Sequence, residues 1–172
     1  MAKLKKQHMT IHWKAIVQDD SSIPATEATL KEKATLVGRI GLMMLSVGTG
    51  AWRVRNSMNK VARCLGITCT ADIGLLAISY TCIEGTDTYT QSISNPTTGV
   101  NTHKLMQLEL FMKEFPDKVS TYSVKHIHEV LDEIQKLPAN YKAWNLGLAS
   151  ALACGAFTFL LGGGPVEMCC AF

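Results

Sequence analysis

Arg53 is placed for chemistry, because it follows a glycine-rich turn at residues 48–50, after which a helical pattern begins. The free backbone N–H groups of a helix start and a guanidinium beside them can together bind an anion. A solvated arginine, or one that forms a salt bridge with Asp72 or Glu84, is the alternative. Both interpretations stay open, and Gly48 and Arg53 are candidates for binding a substrate.

His103 could act as a general base near serine or threonine hydroxyls, since it lies two residues after a Gly-Val-Asn turn at residues 99–101. The chain contains no nucleophile motif of the GxSxG type, so no catalytic residue is predicted. His126 and His128 are two residues apart, and on a helix such a pair points to different sides. The cysteines show no CxxC spacing and are predicted to be reduced and mostly buried. No metal and no cofactor is therefore expected.

The end of the chain is free of charge over 24 residues, from 143 to 166. About 20 apolar residues cross a bilayer as a helix, so residues 143–161 are predicted to be a transmembrane span. All 17 Lys and Arg lie at or before Lys142. Basic residues favour the cytoplasmic side of a span, so the preceding domain is predicted to be cytoplasmic and the span to lie in the plasma membrane. A buried C-terminal helix in a soluble protein is the alternative.

A glycine-rich break at residues 162–165 follows this span, and the start of a second helix is predicted at 166–172. Transporters build substrate sites where membrane helices are broken, and an acid near the membrane is functional when it is buried. The candidates here are Gly162, Gly163, Gly164 and Glu167. A plain turn between helices and an acid at the membrane interface are equally compatible with the sequence.

The preceding residues predict an α+β domain over residues 25–140, after a flexible lead-in at 1–24. Periodicity and turn residues give the order α-α-β-β-α-α. The first helix is expected to start around Thr26 and Glu27, and Pro116 with Asp117 to end the third. Two strands are expected, at 67–83 and 88–94. The net charge of +3 is mild and no basic stripe is interleaved with aromatics, so no nucleic-acid partner is predicted.

Three segments resemble the threonine/serine exporter family. In GTGAWRVRNSMNKVARCLG, a glycine is followed five residues later by the Arg-Val pair that opens a helix, here Gly48, Arg53 and Val54. TTGVNTHKL is similar to the second signature of the family, with Gly99, Val100 and Asn101 in the turn. ACGAFTFLLGGGP is similar to its first span and the break that follows, and the resemblance covers about residues 27–172.

The resemblance implies a cytoplasmic domain joined to a secondary transporter of about ten spans, in one chain or divided over two. Such transporters export small polar amino acids, and some relatives small dicarboxylates, using the proton gradient. This sequence would then be the front of one subunit, and a second membrane subunit or further spans would complete it in the bilayer. Arg55 occupies a position where the family often has an acid. A hydrolase-like domain tethered to the membrane, and a regulatory or assembly module for a partner, are the alternatives.

Overall fold

The computed structural model describes residues 11–17, 23–75, 77–94, 99–138 and 141–171. The chain divides into two compact units, Met1–Leu137 and Pro138–Phe172. The described part of the first unit contains a short 3-10 helix, Trp13–Ala15, followed by α1 (Leu30–Ser46), α2 (Ala51–Cys64), β1 (Thr68–Ile73), β2 (Ala77–Glu84), β3 (Asp87–Ser94), α3 (Thr102–Lys118) and α4 (Val124–Lys136). The second unit contains α5 (Ala143–Leu160) and α6 (Pro165–Ala171).

Helix α1 runs through the core of the first unit, and its start differs from the predicted one. Thr29 is the N-cap: its hydroxyl accepts from the N–H of Glu32, and the Glu32 carboxylate accepts from the N–H of Thr29 at 3.1 Å. This reciprocal capping box satisfies two backbone donors that a helix start leaves unpaired. The predicted start around Thr26 and Glu27 was wrong, because those residues form a turn in which Glu27 N–H donates to Pro24 O.

The sheet has three antiparallel strands in the order β1-β2-β3, where the sequence predicted two. Residues 67–83 had been predicted as one strand, but they form β1 and β2 with a turn between them. Gly74 N–H donates to Ala77 O at 2.8 Å, and Leu75 in this turn is exposed. A single strand over these 17 residues would exceed the ordinary length of a strand, and folding the segment back pairs its own polar backbone groups. The element order is therefore α-α-β-β-β-α-α.

Helix α3 continues through Pro116 to Lys118, so the prediction that Pro116 and Asp117 end it was wrong. A proline inside a helix has no N–H for the carbonyl four residues earlier, which here is Met112 O. The ammonium group of Lys60, on α2, donates to this carbonyl at 2.9 Å. Pro116 also lies in the last turn of the helix, where few further backbone bonds depend on it.

Replacing Lys60 with methionine is expected to lower the free energy of unfolding by about 1 kcal/mol, because the Met112 carbonyl loses its donor. In a Pro116→Ala background, the N–H that residue 116 gains can donate a hydrogen bond to the Met112 carbonyl. The same Lys60 replacement should then cost clearly less. Chemical unfolding of the four chains in a mild detergent measures this cycle, and an equal cost in both backgrounds would contradict the assignment.

Helix α5 is long and apolar enough to cross a membrane. Its 18 residues extend about 27 Å at 1.5 Å per residue, close to the roughly 30 Å of a hydrocarbon core. Only Gly155 is buried among its residues, and the exposed ones include Leu146, Leu152, Phe157 and Phe159. In the described chain, α5 is therefore not the buried core helix that the alternative predicted.

The cysteines are free but not mostly buried as predicted. Cys69 and Cys82 are buried opposite each other on β1 and β2, and Cys64 is half-buried. Cys154, Cys169 and Cys170 are exposed, because they lie on α5 and α6, whose surfaces are open in this chain.

Candidate functional site

The two turns that resemble family signatures are bonded to each other. Gly99 N–H donates to Ser46 O and Asn101 N–H donates to Val47 O, both at 3.2 Å. Gly48 has a φ of +84°, and a Cβ there would lie 3.1 Å from Val100 Cγ2 and 3.2 Å from its Cα. A left-handed conformation and a close neighbour both favour glycine at this position. The structure thus brings Gly48, Gly99 and Asn101 together in one junction.

Two helices begin at this junction. Gly50 is the N-cap of α2, and Asn101 is the N-cap of α3, where its side-chain oxygen accepts from Lys104 N–H at 3.0 Å. Asparagine is among the preferred residues for this purpose. Asn101 therefore has a structural role in starting α3, and the junction fixes how α2 and α3 leave the core.

Arg53 lies in the first turn of α2 and pairs with Glu109 on α3, with 3.3 Å between Nη1 and Oε1. The two side chains are 56% and 50% exposed, so water screens their attraction. Neither Asp72 nor Glu84 is the partner; Glu84 instead binds the buried ammonium group of Lys33 at 2.5 Å. Arg55 points elsewhere and donates to Ala71 O at 3.1 Å.

A groove of about 250 Å³ runs between α2 and α3 and includes the Arg53–Glu109 pair. Residues of α2 spaced by about one turn form one wall, residues of α3 form the other, and Met44 of α1 also lines it. The complete lining is Met44, Trp52, Arg53, Asn56, Ser57, Lys60, Glu109, Met112 and Lys113. Of the sequence-predicted site residues, Arg53 alone lies in this lining.

His103 occupies the first turn of α3 and is half-buried, outside the groove lining. Among the residues that the structure describes, no hydroxyl forms a hydrogen bond with its ring. The arrangement that would make His103 a general base toward a serine or threonine is therefore not assembled in the described residues.

The glycine-rich break after α5 forms a helix-terminating motif. Gly162, with a φ of +90°, donates its N–H to Phe159 O at 3.0 Å, and Gly163 N–H donates to Thr158 O at 2.9 Å. This pair of bonds defines the Schellman motif, which favours glycine at the left-handed position. A Cβ on Gly163 would lie 2.7 Å from Thr158 Cγ2, so this position also requires glycine.

Gly164 and Glu167 lie beside each other at the start of α6. A Cβ on Gly164 would lie 2.8 Å from Glu167 Oε2, and Glu167 is exposed in the first turn of the helix. An acid in a first turn is favourable toward the helix dipole. Gly162 and Gly163 thus have a structural explanation in the turn. The Cβ contact at Gly164 is with the end of a flexible side chain, so it does not require glycine, and the carboxylate of Glu167 stays accessible.

A buried polar cluster in the first unit was missed by the sequence analysis. The guanidinium of Arg39 on α1 donates to His128 O at 2.9 Å, contacts His128 Nδ1 at 3.0 Å, and also binds Asp132. Trp13 stacks on the His128 ring with 4.6 Å between centroids. The signal was present: Arg39 is one charge within an apolar helical run, and His128, Asp132 and Gln135 recur on one face of α4.

The electrostatics of this cluster keep His128 neutral. Burial and the positive charge of Arg39 lower the pKa of His128 to about 3, against the opposite effect of Asp132. Burial acts to raise the pKa of Asp132, but its hydrogen bond to Arg39 and the guanidinium charge lower the pKa overall. Because a guanidinium only donates, His128 Nδ1 accepts and the ring proton is on Nε2. This nitrogen is buried and has no partner among the described residues.

The unfolding free energy is expected to fall when the pH drops below about 6.5. The folded chain holds His128 unprotonated down to about pH 3, whereas the unfolded chain takes up the proton near 6.5, so acid favours unfolding. The slope is about 1.4 kcal/mol per pH unit, or roughly 2 kcal/mol by pH 5. Asp132 does not contribute to the slope between pH 7 and 5, because its pKa is lowered and its carboxyl group takes up a proton only at more acidic pH.

Denaturant unfolding at pH 7, 6 and 5 measures this slope. His128→Asn keeps an acceptor near the position of Nδ1 but cannot titrate, so its stability should change little over the window. His126→Asn is the matched control, because His126 lies on the same helix with a side chain that is half exposed. Equal slopes for the chain with and without His128 would contradict the assignment.

Residues 35–172 match the sequence model of the ThrE family, described as "Putative threonine/serine exporter". No curated protein and no solved structure matches the chain. The matched range contains the two bonded turns, the α2–α3 groove, α5 and α6. It covers 172 − 34 = 138 of the 172 residues. The chain therefore belongs to the threonine/serine exporter family of membrane transport proteins.

Proposed function

We propose that this chain supplies a cytoplasmic α+β domain and the first span of a proton-coupled exporter of threonine, serine or a related small carboxylate. The observation that carries the proposal is α5, an exposed apolar helix of bilayer length inside the family match. Leu146, Leu152, Phe157 and Phe159 need an apolar environment that the described chain does not provide.

The cytoplasmic orientation is supported by charge. Lys136 and Lys142 lie just before the N-terminal end of α5. Basic residues near the end of a span favour the cytoplasmic side. Tyr141 and Trp144 are exposed at the same end, where amphipathic aromatic rings favour the membrane interface.

A partner membrane segment is part of the proposal, because one span cannot form a path that opens alternately to two sides. Transporter sites lie between repeated bundles of helices. Further spans, on this subunit or on a second one, would therefore complete the substrate path, with Glu167 and the break at Gly162–Gly164 as candidate contributors. Arg53 is the candidate in the domain before the membrane.

Threonine efflux tests the proposed function. Cells with and without the complete locus, including any partner subunit, are loaded with a threonine-containing dipeptide, and extracellular threonine is followed over time. We expect faster efflux with the locus, reduced efflux after Glu167→Gln, and slower efflux when the proton gradient is collapsed. Arg53→Ala should also reduce efflux. Arg63→Ala is its matched control, because Arg63 is exposed on the same helix and does not line the groove.

Equal efflux with and without the locus, at equal membrane abundance of the protein, would remove threonine export. The same cells loaded with a serine-containing dipeptide or a small dicarboxylate then decide between the remaining solutes. If the efflux rate does not change when the proton gradient is collapsed, only the proposed proton coupling is contradicted.

A further inference from the structure

We propose that the groove between α2 and α3 binds a small solute through its carboxylate group. All lining residues of the groove belong to the unit Met1–Leu137, whereas the apolar helix α5 belongs to the other unit. The proposal therefore concerns a solute-binding site that the domain before the membrane carries by itself.

The charges of the groove favour an anion. Its lining carries three cations, Arg53, Lys60 and Lys113, against one carboxylate, Glu109, which gives 3 − 1 = +2. Asn56 and Ser57 add an amide and a hydroxyl, both of which can donate to a carboxylate. A guanidinium presents two parallel N–H groups that match the two oxygens of a carboxylate.

The apolar part of the groove favours a small organic solute over a bare inorganic ion. Trp52 is 73% exposed and forms part of the lining, and Met44 and Met112 are buried beneath the polar groups. Small-molecule sites combine such an apolar surface with a few placed polar groups, and they range from about 300 Å³ upward. A volume of about 250 Å³ suits a solute smaller than most cofactors.

Lys60 is held in position before any ligand arrives, and Arg53 is held only weakly. Lys60 Nζ is fixed by its bond to Met112 O at 2.9 Å, and an ammonium group retains further donors. Arg53 is oriented across the groove by Glu109, through a single contact of 3.3 Å. Because this ion pair is exposed, replacing Glu109 by a ligand carboxylate costs little.

Dicarboxylates and amino acids both carry a carboxylate group, and the groove should bind the two classes in different ways. A dicarboxylate would displace Glu109 from Arg53 and use the excess positive charge, whereas an amino acid would keep Glu109 as the partner of its ammonium group. Removing the charge of Glu109 therefore has opposite consequences: Glu109→Gln should tighten the binding of a dicarboxylate and weaken that of an amino acid.

Isothermal titration of the full chain in detergent tests the site, with succinate, threonine and inorganic phosphate as separate probes. We expect succinate or threonine to bind, and Arg53→Gln and Lys113→Gln each to weaken the binding about tenfold, or about 1.4 kcal/mol. Arg63→Gln removes an exposed cation of the same helix outside the groove and should leave the affinity unchanged. Circular dichroism confirms that each variant is folded.

Three results would overturn the proposal. The first is that the folded chain binds neither succinate nor threonine in the millimolar range, and the second is that it binds phosphate alone. The third is an affinity that stays the same in both Arg53→Gln and Lys113→Gln. These results do not depend on transport. If the chain binds a carboxylate in the groove but supports efflux of none of the tested solutes, this site is retained and the exporter proposal is lost. If the chain supports efflux but binds no carboxylate, the exporter proposal is retained and this site is lost.

Discussion

Replacing Arg39 with methionine is expected to lower the free energy of unfolding by about 3 kcal/mol, near the lower end of the range for breaking a buried ion pair. The guanidinium bonds the carbonyl of His128, the ring of His128 and the carboxylate of Asp132, so its loss leaves several buried or partly buried acceptors unpaired. The Asp132 side chain is still 25% exposed, which keeps the cost below that of a fully enclosed charge. Chemical denaturation of the full chain in detergent, followed by near-ultraviolet circular dichroism, measures the change.

Arg53→Met is the matched control, because it removes the same group from an ion pair that is exposed. That pair should contribute no more than about 0.5 kcal/mol. Adding Asp132→Leu to Arg39→Met should recover part of the lost stability, since the carboxylate is no longer left without its partner. Similar effects of Arg39→Met and Arg53→Met would show that burial does not distinguish the two ion pairs.

The geometry separates the candidate residues into those that build the fold and those that are available for binding. Gly48 and Asn101 hold the junction from which α2 and α3 start, and Gly162 and Gly163 terminate α5. These roles explain the residue types without a ligand. Arg53 and Glu167 are different, because each presents an accessible charge that the local fold does not require.

Local signals in the sequence predicted most of the helices, because apolar spacing and turn residues act over short distances. The same signals failed where a residue far away in the sequence determines whether an element continues. Pro116 reads as a helix breaker until Lys60, 56 residues earlier in the chain, supplies the donor for Met112 O. The start of α1 was missed for a different reason, because the Thr29–Glu32 capping box is itself a local pattern and Thr26 was chosen instead.

The candidate site was predictable only in part, for the same reason. A glycine turn before a helix start indicated Arg53 as a candidate for binding an anion, and the structure places it in the first turn of α2, in the lining of the groove. Glu109, Lys60 and Lys113 come to the same groove only through the packing of α3 against α2. The Arg39 cluster likewise depends on contacts between residues about 90 positions apart. Local patterns mark Arg39 and the polar face of α4 separately, but they do not show that the two meet.

Gly38→Ala is expected to lower the free energy of unfolding by at least about 3 kcal/mol, even after the gain of about 1 kcal/mol that alanine has over glycine inside a helix. A Cβ on Gly38 would lie 2.2 Å from Tyr80 Oη, 2.4 Å from Cζ and 2.7 Å from Cε1. The Tyr80 ring cannot retreat easily, because it is buried and its hydroxyl donates to Gln91 at 2.8 Å. Helix α1 and strand β2 would have to move apart.

Gly41→Ala, in the same helix, is the matched control for this prediction. Its Cβ would meet Met58 Sδ at 2.6 Å and Cγ at 2.9 Å, the atoms of a flexible side chain that can change rotamer, so the loss should stay within about 1 kcal/mol. A Tyr80→Leu background provides the stronger test, because it removes the ring that Gly38→Ala would strike. There the same Gly38→Ala change should become stabilising by about 1 kcal/mol, since helix propensity is the effect that remains. Unfolding curves of the four chains give the sign directly, and a loss of equal size in both backgrounds would show that the contact between α1 and β2 is not what requires glycine at this position.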